Sequence, residues 1–287
     1  LGTGRYFDFL FSMGEYFSMT ISSQFFSPTD YAVFETRLGN NPDYDGERER
    51  VKGKLAQLHR EIYPEIRKSQ WDLHPHWMTQ WLISASRISP ATPRIDFLAL
   101  RYSKPETTIK LMKKELFEDF GHFYANAMIA MRVDKEGFAV ELYVSDKAWV
   151  DGQNFKQRLV VNAEQRGHFR ALLAELGAEH TFRLSQYVRN EEGFARHEEV
   201  MRAKASRLVN VGMLNTTIEK YKPGGHDLRL GIYYKPDDKR LRADNIADEI
   251  ILRMEQLYPV YAFLCWSPKN DYRKAKHADQ KPSRRTH

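Results

Sequence analysis

The chain of 287 residues is long enough to bury a sizeable core and lies at the upper end of the range for one domain. An apolar content of 42 % with 13 % aromatic residues excludes a disordered protein, and no apolar run reaches the roughly 18–20 residues of a membrane-spanning helix. The single cysteine, Cys265, excludes an internal disulfide and a CxxC zinc site, which is typical of a reducing, cytoplasmic compartment.

The net charge of +6 is concentrated at the C-terminus. Residues 269–287 contain seven Lys or Arg and two Asp, so this segment carries +5 and the remainder is close to neutral. A basic pI usually indicates a nucleic-acid-binding surface, but here it describes a tail. We therefore predict an N-terminal extension over residues 1–24, one domain over 25–266 and a basic, disordered tail over 267–287.

The N-terminal half alternates helical and extended patterns. Ser27-Pro28 is typical of a helix start, and apolar spacing extends that helix to Gly39. A long charged helix follows, with Pro64 expected to kink or end it. Its apolar stripe consists of Val51, Leu55, Leu58, Ile62 and Ile66. Residues 95–102 are apolar on both faces, as in a covered strand, and residues 106–119 weakly favour a helix.

The C-terminal half contains the clearest local signal, two strand-like runs over 123–133 and 138–144 joined by a short loop ending in Gly137. We expect this hairpin to be half-buried. Helices are predicted after Asn162 up to Gly177, over 191–208, and from 246 to a stop at Pro259, and strands over 181–188 and 228–234. This mixture predicts an α+β domain with helices packed on an antiparallel sheet.

Basic residues cluster beside the strand at 95–102. The planar guanidinium group of arginine donates well to phosphate oxygens, so this cluster indicates a binding site for a nucleic acid or a phosphorylated ligand. The predicted contacts are Arg87, Arg94, Arg101, Lys104 and Lys110. The alternative is that these cations pair with acids of neighbouring helices, namely Glu47, Glu49, Glu61 and Glu65.

Residues 71–81 (WDLHPHWMTQW) combine three tryptophans with two histidines. Such aromatics could stack unpaired bases, whereas ordinary core packing is the default interpretation. His74 and His76 could begin a metal site with Asp72, but no convincing further ligands follow. We predict no metal and no cofactor.

An enzyme is the second hypothesis. Asp96 and Glu141 lie on candidate strands of a metal-dependent nuclease or hydrolase, although the lysine expected two residues after Glu141 is absent. Glu141 also lies diagonally opposite Arg132, where a plain ion pair would suffice. The GxSxG, GxxxxGK[ST], GxGxxG and HExxH motifs are absent from the sequence, and Cys265 is expected to be a buried, inert thiol. These observations favour a binding protein over an enzyme.

Several segments resemble the YktB-like family of uncharacterised bacterial proteins. Residues 25–35 (FFSPTDYAVFE) are similar to that family's opening helix, and residues 257–261 (LYPVY) to its closing motif. Between them lie His74-Pro75-His76, Arg87, residues 96–100 and Ser103-Lys104, so the similarity spans most of residues 25–262. The resemblance implies a compact α+β fold and brings no established activity.

We therefore expect a nucleic-acid- or phosphate-binding accessory protein that does not associate with a membrane. The third hypothesis is a protein–protein interaction module that uses the predicted charged helix at 191–208 and the aromatic N-terminus.

Overall fold

The computed structural model describes residues 23–39, 41–75, 83–89, 92–117, 123–189 and 195–273. For some residues within these ranges only the backbone is described, and not the side chain: 83–89, 92–94, 123, 187, 189 and 195–197. The helices are α1 Pro28–Ala32, α2 Asp45–Lys68, α3 Glu106–Leu116, α4 Trp149–Val161, α5 Ala163–Glu175, α6 Val211–Lys220 and α7 Ile246–Leu264. In this part of the chain, no helix has the length and apolarity to span a bilayer.

The strands form one antiparallel sheet, which confirms the predicted α+β fold class. They are β1 His74–Pro75, β2 Ile83–Ser89, β3 Thr92–Ser103, β4 Met128–Asp134, β5 Gly137–Val144, β6 Thr181–Arg189, β7 Ala195–Lys204 and β8 His226–Tyr234. Their order is β1-β3-β4-β5-β8-β6-β7, and β2 pairs with the first part of β3. Although β2 and β7 belong to opposite ends of this order, they lie against each other, so the sheet curls towards closure.

One face of the sheet, the helical face, carries the apolar core. On β5, Phe138, Val140, Leu142 and Val144 point to this face, as the alternation predicts. The apolar stripe of α2 is fully buried against it, which confirms that prediction. Helix α7 packs on β4, β5 and β8 and contacts α2 and α5.

Two prolines do not end their helices. Pro64 lies inside α2, which continues to Lys68, and Pro259 lies inside α7, which continues to Leu264. A proline removes one helical hydrogen bond, but burial of Val260, Phe263 and Leu264 after Pro259 favours continuation. The predicted stop at Pro259 was therefore wrong.

The predicted helix over 191–208 was also wrong, because residues 195–204 form the strand β7, paired along its length with β6. The segment is rich in charged residues and contains few apolar ones, a composition that locally favours a helix. Backbone pairing with β6 overrides this local preference. The first helix is shorter than predicted, since α1 ends at Ala32 and irregular turns follow it. The hairpin of β4 and β5 is confirmed, but both of its faces are buried instead of one.

The folded domain extends beyond the predicted boundary at residue 266. The side-chain amide of Asn270 donates to the carbonyls of Ala262, Phe263 and Cys265 at 3.1, 2.9 and 2.7 Å. The Tyr272 amide donates to Asn154 Oδ1 at 2.9 Å. Residues 267–273 are thus part of the domain, while the predictions for residues 1–22 and 274–287 lie outside the described residues.

Candidate functional site: an arginine cluster on the polar face of the sheet

The second face of the sheet, the polar face, carries charged and aromatic side chains that are shielded from solvent. Strand register places Arg101, Ala130, Glu141 and Gly231 in one row across four strands. The adjacent row contains Met128, Tyr143, Arg229 and Arg183. We call the following residues the arginine cluster: Arg101, Arg132, Arg183 and Arg229 with Glu141, Phe97, Tyr124, Tyr143 and Tyr233.

Small residues leave room for these long side chains. Ala130 separates Arg101 from Glu141, and Gly231 stands beside Glu141 on the next strand. A Cβ atom at Gly231 would lie 2.3 Å from the Val140 carbonyl oxygen and 2.6 Å from the Glu141 Cα. The close approach of β5 and β8 therefore requires glycine at this position.

Glu141 is the centre of the arginine cluster and is only 1 % exposed. Its Oε1 atom accepts hydrogen bonds from Arg229 Nη1 at 2.5 Å and from Arg132 Nε at 3.0 Å. The bond to Arg132 confirms the predicted diagonal ion pair. Burial alone would raise the pKa of Glu141, but Arg132 and Arg229 outweigh it and lower this pKa to about 2. The carboxyl is therefore ionised at any pH at which the protein would function.

Each guanidinium of the arginine cluster lies over an aromatic ring. Arg183 is 3.6 Å from the ring centre of Tyr233, and Arg229 is 4.2 Å from that of Tyr143. Arg101 lies 5.1 Å from the ring of Tyr124 and donates to its hydroxyl at 3.2 Å. Stacking holds a guanidinium in place while its N–H donors point outward in its own plane. These donors suit an anion that approaches from the side.

Three polar atoms of the arginine cluster are buried and have no hydrogen-bond partner among the described residues. They are Glu141 Oε2, Arg183 Nε and Tyr233 Oη. The Tyr233 hydroxyl lies close enough to help lower the pKa of Glu141, but the two groups form no hydrogen bond of normal geometry. Three of the nine such atoms among the described residues therefore lie together in the arginine cluster, whereas buried polar atoms usually have partners.

Of the five predicted phosphate contacts, the structure places the side chain of one, Arg101, in the arginine cluster. Lys110 lies on the exposed surface of α3 and pairs with Glu106 of its own helix at 2.8 Å, not with an acid of a neighbouring helix as the alternative interpretation proposed. Two of the acids that this alternative named, Glu49 and Glu65, pair instead with Lys52 and Lys68 of their own helix. Arg87 and Arg94 belong to β2 and β3, and their side chains lie outside the described residues.

Lys104 is a structural residue, so its prediction as a ligand contact is corrected. Its side chain is 3 % exposed, and its ammonium donates to both carboxylate oxygens of Asp151 at 2.6 and 2.5 Å. Asp151 also accepts from the backbone amides of Ala127 and Trp266, both at 2.7 Å. This pair ties together β3, α4 and the end of α7, and it leaves no access for a ligand.

Asp96 and Glu141 do not belong to a common metal-binding group among the described residues. Two arginines hold Glu141, and Asp96 lies where the pairing of β2 and β3 shifts by one residue. Within the described ranges, no three His, Cys, Asp or Glu side chains could jointly bind a metal ion. His74 is 3.7 Å from Asp72, and Trp71 stacks on Tyr258 at 5.5 Å. His76, Trp77 and Trp81 lie outside the described residues. Cys265 is buried, as expected, and burial raises the pKa of its thiol.

Four residues of the arginine cluster were not predicted as site residues from the sequence, namely Arg183, Arg229, Tyr143 and Tyr233. A signal was present, because Arg229 and Tyr233 alternate with the apolar residues of β8. Alternation normally indicates a solvated polar face, so nothing in the pattern grouped these residues into a buried site.

No known protein-family model matches the chain, and no curated protein is recognisably similar to it in sequence. The resemblance to the YktB-like family stays a prediction.

Proposed function

We propose that the protein binds a small phosphate-bearing ligand at the arginine cluster. The observation that carries this proposal is the unpartnered Nε of Arg183, a buried donor beside two further arginines that converge on one carboxylate oxygen. Phosphate oxygens are the ligands that guanidinium groups bind best, because several N–H donors can engage one phosphate. The internal carboxylate of Glu141, which two of these arginines already hold, supports the proposal that such donors suit an anion.

The charges of the described residues favour an anionic ligand. The four arginines of the arginine cluster face three nearby carboxylates, those of Glu141, Asp134 and Asp227. Asp227 is also engaged by the Tyr143 hydroxyl at 3.2 Å and by the Asp146 amide at 2.8 Å. A net positive charge in a shielded site acts in a low effective dielectric, where an added anion is bound strongly.

A small ligand fits this site better than a polymer. Arg101 and Glu141 are 3 % and 1 % exposed, so a nucleic-acid strand would have to enter a nearly closed face. The tyrosine rings are each stacked on an arginine, which occupies one ring face that a base would need. We assign any affinity for nucleic acid to the tail after Arg273, which carries five Lys or Arg and one Asp.

Calorimetric titration with glycerol phosphate and n-propyl phosphate tests the proposal. We expect Arg183→Gln to weaken binding at least about tenfold, since a hydrogen bond to a charged group contributes about 1.5–3 kcal/mol. Arg207→Gln is the matched control, because it removes the same charge and because Arg207 is exposed on the short turn before α6. If neither ester binds at millimolar concentration, or if both variants weaken binding equally, the proposal is wrong.

A chain ending at Arg273 separates the tail from the site. Unlike a cut at residue 266 or 268, it keeps the bonds of Asn270 and Tyr272. We expect this chain to bind phosphate esters unchanged and to lose most of its affinity for a single-stranded oligonucleotide, with a reduced dependence on salt. Oligonucleotide binding that survives truncation and is weakened by Arg183→Gln would instead identify a nucleic-acid site.

A further inference from the structure

Glu141 Oε2 and Tyr233 Oη pose a requirement that a phosphate alone does not meet. The two oxygen atoms are buried near each other, but neither forms a hydrogen bond of normal geometry among the described residues, and one of them belongs to a carboxylate that is 1 % exposed. A phosphate dianion has no proton to donate to Glu141, and its charge is repelled by that carboxylate. The second group of the ligand must therefore donate a hydrogen bond.

An ammonium group is a poor candidate for this donor. Arg132 and Arg229 both contact Glu141, and Arg183 lies over the ring of Tyr233. A fourth cation among these three would meet strong repulsion at low effective dielectric. A hydroxyl carries no charge, and it can donate to Glu141 Oε2 while it accepts from the Tyr233 hydroxyl.

We infer that the ligand carries a hydroxyl group close to its phosphate, and that Glu141 and Tyr233 recognise this hydroxyl while Arg183 binds the phosphate. This inference rests on the proposed function and specifies the class of ligand, a phosphorylated polyol or sugar. Tyr233 thereby becomes a specificity-determining residue. Its ring holds Arg183 at 3.6 Å, and its hydroxyl contacts the neighbouring part of the ligand.

Two phosphate esters of matched size and charge isolate the hydroxyl. Glycerol phosphate carries two hydroxyls, and n-propyl phosphate carries none. We expect the wild-type protein to bind glycerol phosphate at least about tenfold more tightly, because the analogue without hydroxyls leaves Glu141 and Tyr233 unsatisfied. Equal affinities for the two esters would overturn the inference and leave the proposed function intact, whereas no binding of either ester would remove both.

The variant Tyr233→Phe tests whether the Tyr233 hydroxyl causes the preference for glycerol phosphate over n-propyl phosphate. It keeps the ring under Arg183, so we expect an unchanged affinity for n-propyl phosphate and a several-fold weaker affinity for glycerol phosphate. Tyr44→Phe is the control outside the arginine cluster, since Tyr44 lies in the turn before α2 and packs against the core. If both variants change the preference equally, Tyr233 does not recognise the hydroxyl. The wild-type comparison is decisive even if a variant fails to fold.

Discussion

Two of the buried charge clusters among the described residues are built from similar groups but differ in how completely those groups are satisfied. Asp151 uses both carboxylate oxygens, each accepting from Lys104 and from one backbone amide. Glu141 uses one oxygen for two arginines and leaves the other without a donor. Complete satisfaction is what a structural ion pair requires, because unpaired buried charge is costly.

This contrast supports the proposal that the arginine cluster, and not the Lys104–Asp151 pair, is the binding site. Evolution toward stability alone would be expected to satisfy or remove Glu141 Oε2 and Arg183 Nε, since each unsatisfied buried polar atom costs on the order of 1–3 kcal/mol. Binding sites keep such atoms because the ligand completes them. The comparison therefore makes opposite predictions for substitutions in the two clusters.

Asp151→Asn is expected to have the largest effect. It leaves the ammonium of Lys104 buried without its counter-ion, which should lower the free energy of unfolding by about 3–5 kcal/mol. Urea unfolding followed by circular dichroism measures this loss. Glu106→Gln, which breaks the exposed pair with Lys110, should leave the midpoint unchanged. A loss for Asp151→Asn as small as that of the control would contradict the structural role.

His180 offers a third buried polar group, on the helical side. It is 0 % exposed, and burial, reinforced by the charge of Arg253, lowers its pKa to about 4. The unfolded state, with a pKa near 6.5, then binds more protons, so this contribution to stability is present above pH 6.5 and is lost as the pH falls towards 4. We expect a loss of about 2 kcal/mol between pH 7.5 and 5.

His180→Gln should flatten the dependence of unfolding free energy on pH in that window, whatever its effect at pH 7.5. Parallel curves for the wild-type and variant proteins would show that His180 does not titrate in this manner. Glu141 contributes nothing in this window, because its pKa of about 2 lies well below it.

Glu141→Gln is expected to be milder than Asp151→Asn, with a loss of about 1–3 kcal/mol. Arg132 keeps its ion pair with Asp134, and Arg229 keeps its stacking on Tyr143. Because a bound anion would replace the lost carboxylate charge, millimolar n-propyl phosphate, which has no hydroxyl for Glu141 to recognise, should raise the melting temperature of the variant by more than that of the wild-type protein. A larger loss than for Asp151→Asn would remove the contrast between the clusters.

Arg183→Met should have the smallest effect, within about 0.5 kcal/mol of wild-type stability or slightly more stable. Methionine can keep contact with the ring of Tyr233 and removes the unsatisfied Nε. Chemical unfolding without ligand measures the change. A loss above about 1.5 kcal/mol would indicate that Arg183 is a structural residue.

The hairpin of β4 and β5, the helix after Asn162 and the apolar stripe of α2 could be predicted from sequence because each depends on local signals. The Asn162 side chain caps α5 by accepting from the Gln165 amide at 3.1 Å, and Gly177 adopts a left-handed φ of 74°. Alternation placed Val140 and Leu142 on one face of β5 without reference to other strands. These elements are determined within a few residues of the chain.

Tertiary structure decided the nature of β7 and of the polar face. Residues 195–204 become a strand because β6 offers a complete set of backbone partners, which their own sequence does not reveal. Glu141, Arg183 and Arg229 are far apart in sequence, and only the placement of β8 between β5 and β6 brings them together. Lys104 was misassigned for the same reason, since its partner Asp151 lies 47 residues away. Local spacing determines which residues share a face, but curling of the sheet determines whether that face meets water.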